Sequence, residues 1–161
     1  NTLNNFYNYK TYSELYENNI SSLSISFGAA NSITGDDIKL SERLYIPQKK
    51  LRGFVKGKVG PKDGSDYIGG NYYTTLNLSS TLPQVLPSIE NISVSTFVDI
   101  GNVWGVDDSS LDESSKLRSS IGIGVDYFTV VGPLSFTFAQ PITKADTDAE
   151  ETFRFNLGTT F

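Results

Sequence analysis

The chain carries no His and no Cys in its 161 residues. That removes the commonest general base, the commonest metal ligand and every thiolate nucleophile. No Ser–Lys or paired-carboxylate motif stands in for them. The sequence therefore offers no catalytic set, no cofactor cradle and no metal site, and it predicts a protein that is not an enzyme. What remains is charge placed where water is scarce. Leu51-Arg52-Gly53-Phe54 sets a guanidinium between apolar neighbours inside a long polar stretch, 31–70. A guanidinium that leaves water needs a hydrogen-bonding partner. Gly53 permits a backbone bend that a Cβ resists. The candidate acid is Asp99, in Phe97-Val98-Asp99-Ile100-Gly101. On residue types alone, Arg52 and Asp99 are either a shielded ion pair or two separately solvated charges.

The elements that would position these groups alternate with period two almost throughout, the signature of strands with one wet face. Strands are predicted over 6–15, 20–30, 71–80, 92–104, 117–128, around 134–139, and over 153–161. Leu23, Ile25 and Phe27 oppose Ser22, Ser24 and Ser26. Val94, Val98 and Ile100 oppose Ser93, Ser95, Phe97, Asp99 and Gly101. Ile121, Ile123, Val125 and Tyr127 oppose Arg118, Ser120, Gly122, Gly124 and Asp126. Asp99 thus falls on a polar face, and the glycines opposite the apolar row leave room for another segment. Between strands, 31–70 is read as loop with an extended piece near 39–46, and its Gly-rich tail 57–70 as irregular. The acidic stretches 107–113 and 146–151 read as solvated rims, with divalent-cation or lipopolysaccharide contact as the alternative.

Composition narrows the class. Apolar residues make up only 38%, while ten Phe and nine Tyr with no Met suit strands. A net charge of −5 argues against a nucleic-acid surface. No apolar run approaches the ~18 residues of a membrane helix. The predicted strands have the length of tilted membrane strands, and their connections run short, long, moderate, long, short, long. That puts tight turns on one rim and long loops on the other, as in an outer-membrane barrel; a soluble sandwich has shorter strands and no such asymmetry. Seven strands leave two open edges, so the expectation is part of a larger barrel.

Leu51-Arg52-Gly53-Phe54, Gly69-Gly70-Asn71, the run from Phe97 to Trp104, and Gly132-Pro133-Leu134 occur in this order ahead of a last strand of alternating aromatics. In that ordered set the chain resembles the BamA-type outer-membrane β-barrel assembly factors, the bacterial surface antigen family, most strongly over 42–161. The resemblance implies an all-β, antiparallel up-and-down transmembrane β-barrel of sixteen strands. Residues 1–161 would be about seven C-terminal strands of it, and 31–70 an extracellular loop folded into the lumen. It implies that Leu51, Arg52, Gly53 and Phe54 form the lumen-loop motif, and that Phe97, Asp99 and Gly101 form its partner, with Arg52 held by Asp99. It implies that Phe153, Phe155, Leu157, Gly158 and Phe161 form a C-terminal strand signal beside a weak seam, which Gly158 would loosen. There are two departures: Tyr45-Ile46-Pro47-Gln48 stands where the family often has Gly-Gly, and Ser79 where it often has a carboxylate. The implied function is folding and insertion of β-barrel proteins into the bacterial outer membrane, without cofactor. The implied partners are outer-membrane lipid, lipopolysaccharide, unfolded outer-membrane proteins, and assembly-machinery lipoproteins reached through periplasmic domains. The alternatives are a polypeptide-translocating barrel of the same superfamily and a soluble β-barrel binding an apolar ligand.

Overall fold

A computed structural model describes residues 1–83, 90–111 and 113–158. Seven strands form one antiparallel sheet in which sequence neighbours pair: β1 (Thr2–Ser13), β2 (Ser21–Ser32), β5 (Tyr72–Leu82), β6 (Ile92–Trp104), β7 (Arg118–Thr129), β8 (Gly132–Thr143) and β9 (Phe153–Leu157). A separate two-stranded hairpin, β3 (Lys62–Asp63) with β4 (Asp66–Tyr67), lies inside the long connection between β2 and β5. The connections 14–20, 83–91 and 130–131 share one rim, and 33–71, 105–117 and 144–152 share the other. The first five lengths follow the order expected for a meander with one tight and one loopy rim, but 144–152 is no longer than 83–91.

Register keeps the two faces separate across the whole sheet. Leu23, Leu78, Val98 and Ile121 are laterally aligned, as are Ser24, Asn77, Asp99 and Ser120. One face exposes Tyr7, Tyr9, Ile25, Leu78, Ile121, Ile123, Phe138, Phe153 and Phe155. A continuous band of large apolar side chains of this kind suits lipid and not water. The opposite face buries Ser24, Ser26, Thr75, Asn77, Asp99 and Ser120. The hydrophobic core sits on this inner side as well. Ile38, Leu44, Ile46, Leu51, Phe54 and Val59 of the long connection pack with Ala30, Tyr73 and Val103 from the strand ends. The long connection is therefore not a solvated loop but the second layer of the structure.

Several boundaries differ from the sequence reading. The first strand stops at Ser13, so Leu15 lies in the turn and is exposed. The cause is local: Asn18 takes a positive φ of 61°, its N–H bonds to the Glu14 carboxylate, and the Asn19 N–H bonds to Tyr16 O. β8 continues through Pro141 to Thr143, where a loop is expected. Pro141 falls at the register shift next to Ser119/Ser120, where a missing N–H is tolerated. The stretch 57–70 contains the β3–β4 hairpin, and 3₁₀ turns form at Leu40–Glu42 and Gln48–Lys50. Near 39–46 the extended backbone reduces to one bridge between Leu44 and Gly70. The last strand is predicted to 161; β9 is described only to Leu157, and 159–161, Phe161 among them, lie outside the described residues.

Candidate functional site

Three consecutive inward positions of β6 meet the long connection. Asp99, whose side chain is fully buried, accepts from Arg52 Nε on Oδ2 and from Arg52 Nη2 on Oδ1, each at 2.7 Å. The Arg52 backbone N–H adds a bond to Oδ2 at 3.0 Å, and Asn77 Nδ2 one to Oδ1 at 2.9 Å. This is fork-to-fork geometry, which a lysine cannot reproduce. Two residues before Asp99, Phe97 lies flat under the guanidinium, with Arg52 Cζ 3.4 Å from its ring centroid. Two residues after it, an added Cβ at Gly101 would stand 3.2 Å from Thr74 O and from Thr75 Cγ2 on the neighbouring strand, and at ordinary contact distance, 3.5 Å, from Ile46 Cδ1 of the long connection. The Phe-x-Asp-x-Gly spacing thus supplies a platform, an acid and a close-packed small residue on one face of one strand.

The platform has its own support. Phe97 is paired across the sheet with Gly122, and a Cβ there would stand 2.4 Å from Phe97 Cζ and 2.2 Å from the Phe138 carbonyl oxygen. Gly122 is required because the ring lies where its side chain would be. Gly53 is required for a different reason. Its φ of +92° is left-handed, and a Cβ would press on the Cβ atoms of Ala139 and Ser120 at 3.2 and 3.3 Å. That turn drives the loop onto β7 and β8, where Ser120 Oγ donates to the Arg52 carbonyl. Leu51 and Phe54, on either side, are buried in the core cluster. Lys50 Nζ reaches Ser26 Oγ at 2.6 Å and Ser24 Oγ at 3.3 Å, while Asn77 Nδ2 also donates to Lys50 O at 2.7 Å.

A second buried ion pair is absent from the sequence reading. Arg118 of β7 forks onto Asp148, with Nε to Oδ2 at 2.8 Å and Nη2 to Oδ1 at 3.0 Å, and both side chains are fully buried. Its remaining hydrogens go to Asn102 Oδ1, Lys116 O and Glu113. The signal was available: Arg118 alternates inward, and a lone inward cation demands an acid. The acidic stretches read as solvated rims supply it. Asp107 also pairs with Arg43 at 2.8 Å, Glu150 with Lys144, and Glu151 with Arg154. Tyr67 donates to Thr147 O close by; burial first, then the Asp148 and Glu113 carboxylates, raise its hydroxyl pKa above the ordinary value.

At the far edge, Phe153 and Phe155 face outward from β9 and pack on Phe138 and Phe136 with ring centroids 4.9 and 5.2 Å apart. Leu157 is exposed on the same face. Gly158 lies one residue beyond β9, and its N–H donates to Pro133 O at 3.0 Å. A Cβ at Gly158 would meet Pro133 only at ordinary contact distance, 3.7 Å.

The model of the Omp85 superfamily domain matches residues 3–161. The chain belongs to the Omp85 superfamily. Outer membrane protein assembly factor BamA of Neorickettsia risticii is 26% identical over 144 residues, covering 87% of this chain and 19% of that protein. The SAM50-like protein of Schizosaccharomyces pombe is 27% identical over 150 residues, covering 87% of this chain and 31% of its own. The crystal structure of BamA from Haemophilus ducreyi lacking POTRA domains 1–3 superposes with a TM-score of 0.86 at 25% identity, over 96% of this chain and 34% of that one. The chain therefore spans about a third or less of the length of these relatives. Its sheet is part of an outer-membrane β-barrel of the BamA type: the exposed apolar face looks at lipid and the polar face into the lumen. That excludes the soluble alternative, which leaves the apolar band in water.

Proposed function

We propose that this chain is the C-terminal part of the barrel of an outer-membrane protein assembly factor, which folds and inserts β-barrel proteins into the bacterial outer membrane. The connection 33–71, with its Arg-Gly-Phe motif, is an extracellular loop that folds inward and braces the lumen through Phe97, Asp99 and Gly101. The observations that carry this reading are the match of residues 3–161 to the Omp85 superfamily domain and the inward loop clasped by Arg52 on the buried Asp99. A barrel strand whose edge opens is a template on which an incoming strand can add. The work is done by strand pairing and local disturbance of the bilayer, without nucleotide, metal or catalysis. Unfolded outer-membrane proteins are the clients. Outer-membrane lipid and lipopolysaccharide surround the barrel, and assembly-machinery lipoproteins engage periplasmic domains outside this chain.

The test uses the full-length protein in liposomes with a urea-denatured outer-membrane barrel as client. Faster appearance of the heat-modifiable folded client, slowed by Arg52→Ala, is expected. Transfer of a polypeptide across the vesicle without client folding would instead favour the translocating relative.

A further inference from the structure

The Arg118 network does more than neutralise a buried cation. Asp148, which Arg118 holds, also accepts the Gly60 N–H on Oδ1 at 3.2 Å and the Ala145 N–H on Oδ2 at 2.7 Å. Glu113 and Lys116, its other partners, lie in the connection 105–117, which Asn102 Nδ2 clamps through the carbonyls of Glu113 and Ser114 at 3.0 Å each. One guanidinium therefore joins all three long connections: 33–71 through Gly60, 105–117 through Glu113, and 144–152 through Asp148. The last of these leads into β9.

Between Asp148 and β9 the chain pairs, strand-like, with the Arg-Gly-Phe loop. The Val55 N–H donates to Ala149 O at 2.9 Å, the Ala149 N–H to Lys58 O at 3.0 Å, and the Glu151 N–H to Gly53 O at 2.9 Å. Phe54 and Glu150 form an antiparallel bridge. Gly53, the neighbour of Arg52, thus holds a residue two positions before Phe153, where β9 begins. Among the described residues, β9 is laddered to β8 over Phe153–Leu157.

We propose that Arg118 is a positioning residue for the closing strand. By fixing Asp148 it presents 149–151 to the loop segment 53–58, and this pairing sets the register in which β9 leaves the rim. Without Arg118, the buried carboxylate of Asp148 and the partly buried one of Glu113 lose the cation they share. The segment 144–152 then leaves the loop, and β9 loses its anchor at the rim. Arg52 braces the loop from below at Asp99, and Arg118 couples that braced loop to the seam. The consequence for assembly rests on reading β9 as the seam strand; the coupling itself does not.

Amide hydrogen exchange of the full-length protein in lipid nanodiscs tests it, with Arg118→Gln, Arg118→Lys and Asp148→Asn. Exchange at 153–157 should accelerate on the order of tenfold in Arg118→Gln and Asp148→Asn, while 21–32 and 72–80 keep their wild-type rates. Arg118→Lys should not restore protection, because an ammonium cannot fork onto Asp148 while reaching Asn102. If Arg118→Gln does not fold, Asp148→Asn decides. Unchanged exchange at 153–157 in a folded variant, or equal acceleration in every strand, would overturn the proposal. No client is present, so the outcome does not depend on the assembly reading. Loss of client folding with β9 still protected would refute this coupling and leave that reading intact.

Discussion

Replacing Arg52 by Ala leaves the Asp99 carboxylate inside the barrel with two neutral donors, the residue 52 N–H and Asn77 Nδ2. Breaking a buried ion pair from one side costs about 3–5 kcal/mol. The Asp99 side chain is fully buried, but that of Arg52 is 25% exposed, so part of its charge is solvated. Loss of the stack on Phe97 adds in the same direction, about 0.5–2 kcal/mol. Exposure and the surviving donors pull the sum to the low end, and about 3 kcal/mol is expected, roughly a hundredfold in the folded-to-unfolded ratio. Asp99→Asn keeps the shape and removes the charge. With the partner already neutral, Arg52→Ala should then cost much less, giving a coupling energy of about 2 kcal/mol in a double-mutant cycle. The assay is denaturant unfolding of the full-length protein in lipid vesicles, with the folded fraction read from heat-modifiable migration. A coupling of about 0.5 kcal/mol or less, the value of an exposed pair, would refute the claim that the loop is clasped by a shielded charge.

Gly53→Ala should destabilise by about 1–2 kcal/mol in the same unfolding assay, because a non-glycine residue at that φ is strained. Gly122→Ala should cost about 1–3 kcal/mol and also erase the Arg52–Asp99 coupling, because it displaces the ring that carries Arg52. Ile123→Arg, on the exposed face midway along β7, should lower stability in lipid by about 2–4 kcal/mol, the penalty for a cation at bilayer depth; a wild-type folding yield in vesicles would contradict that face assignment.

The strands were legible because most inward side chains are polar or small and most outward ones apolar, with Phe97 an inward exception that carries Arg52. Ser24, Asn77, Asp99 and Ser120 declared their face by parity, and the register aligns them. Arg52 and Asp99, 47 residues apart, could be nominated from the need of a loop guanidinium for an acid, but no spacing rule fixes a contact between a loop and a strand. The Arg118–Asp148 pair shows the same limit. Arg118 announced a need by pointing inward, but Asp148 sits among Asp146, Glu150 and Glu151, and only the fold of 144–152 selects it. The role of Gly122 as a seat for Phe97 depends on lateral register, and the continuation of β8 through Pro141 depends on a bulge at Ile142, opposite Ser119 and Ser120 of β7. Register and bulges are properties of strand pairs, and neither is written in one strand alone.

The most direct measurement is dipolar recoupling between the Asp99 carboxyl carbon and the Arg52 guanidinium nitrogens, by solid-state NMR of the full-length protein in lipid. Strong cross-peaks from Nε and Nη2 of Arg52 to Asp99 are expected, retained at high salt because the pair is shielded. An Asp99 carboxyl with no guanidinium contact in an otherwise folded barrel would contradict that pairing.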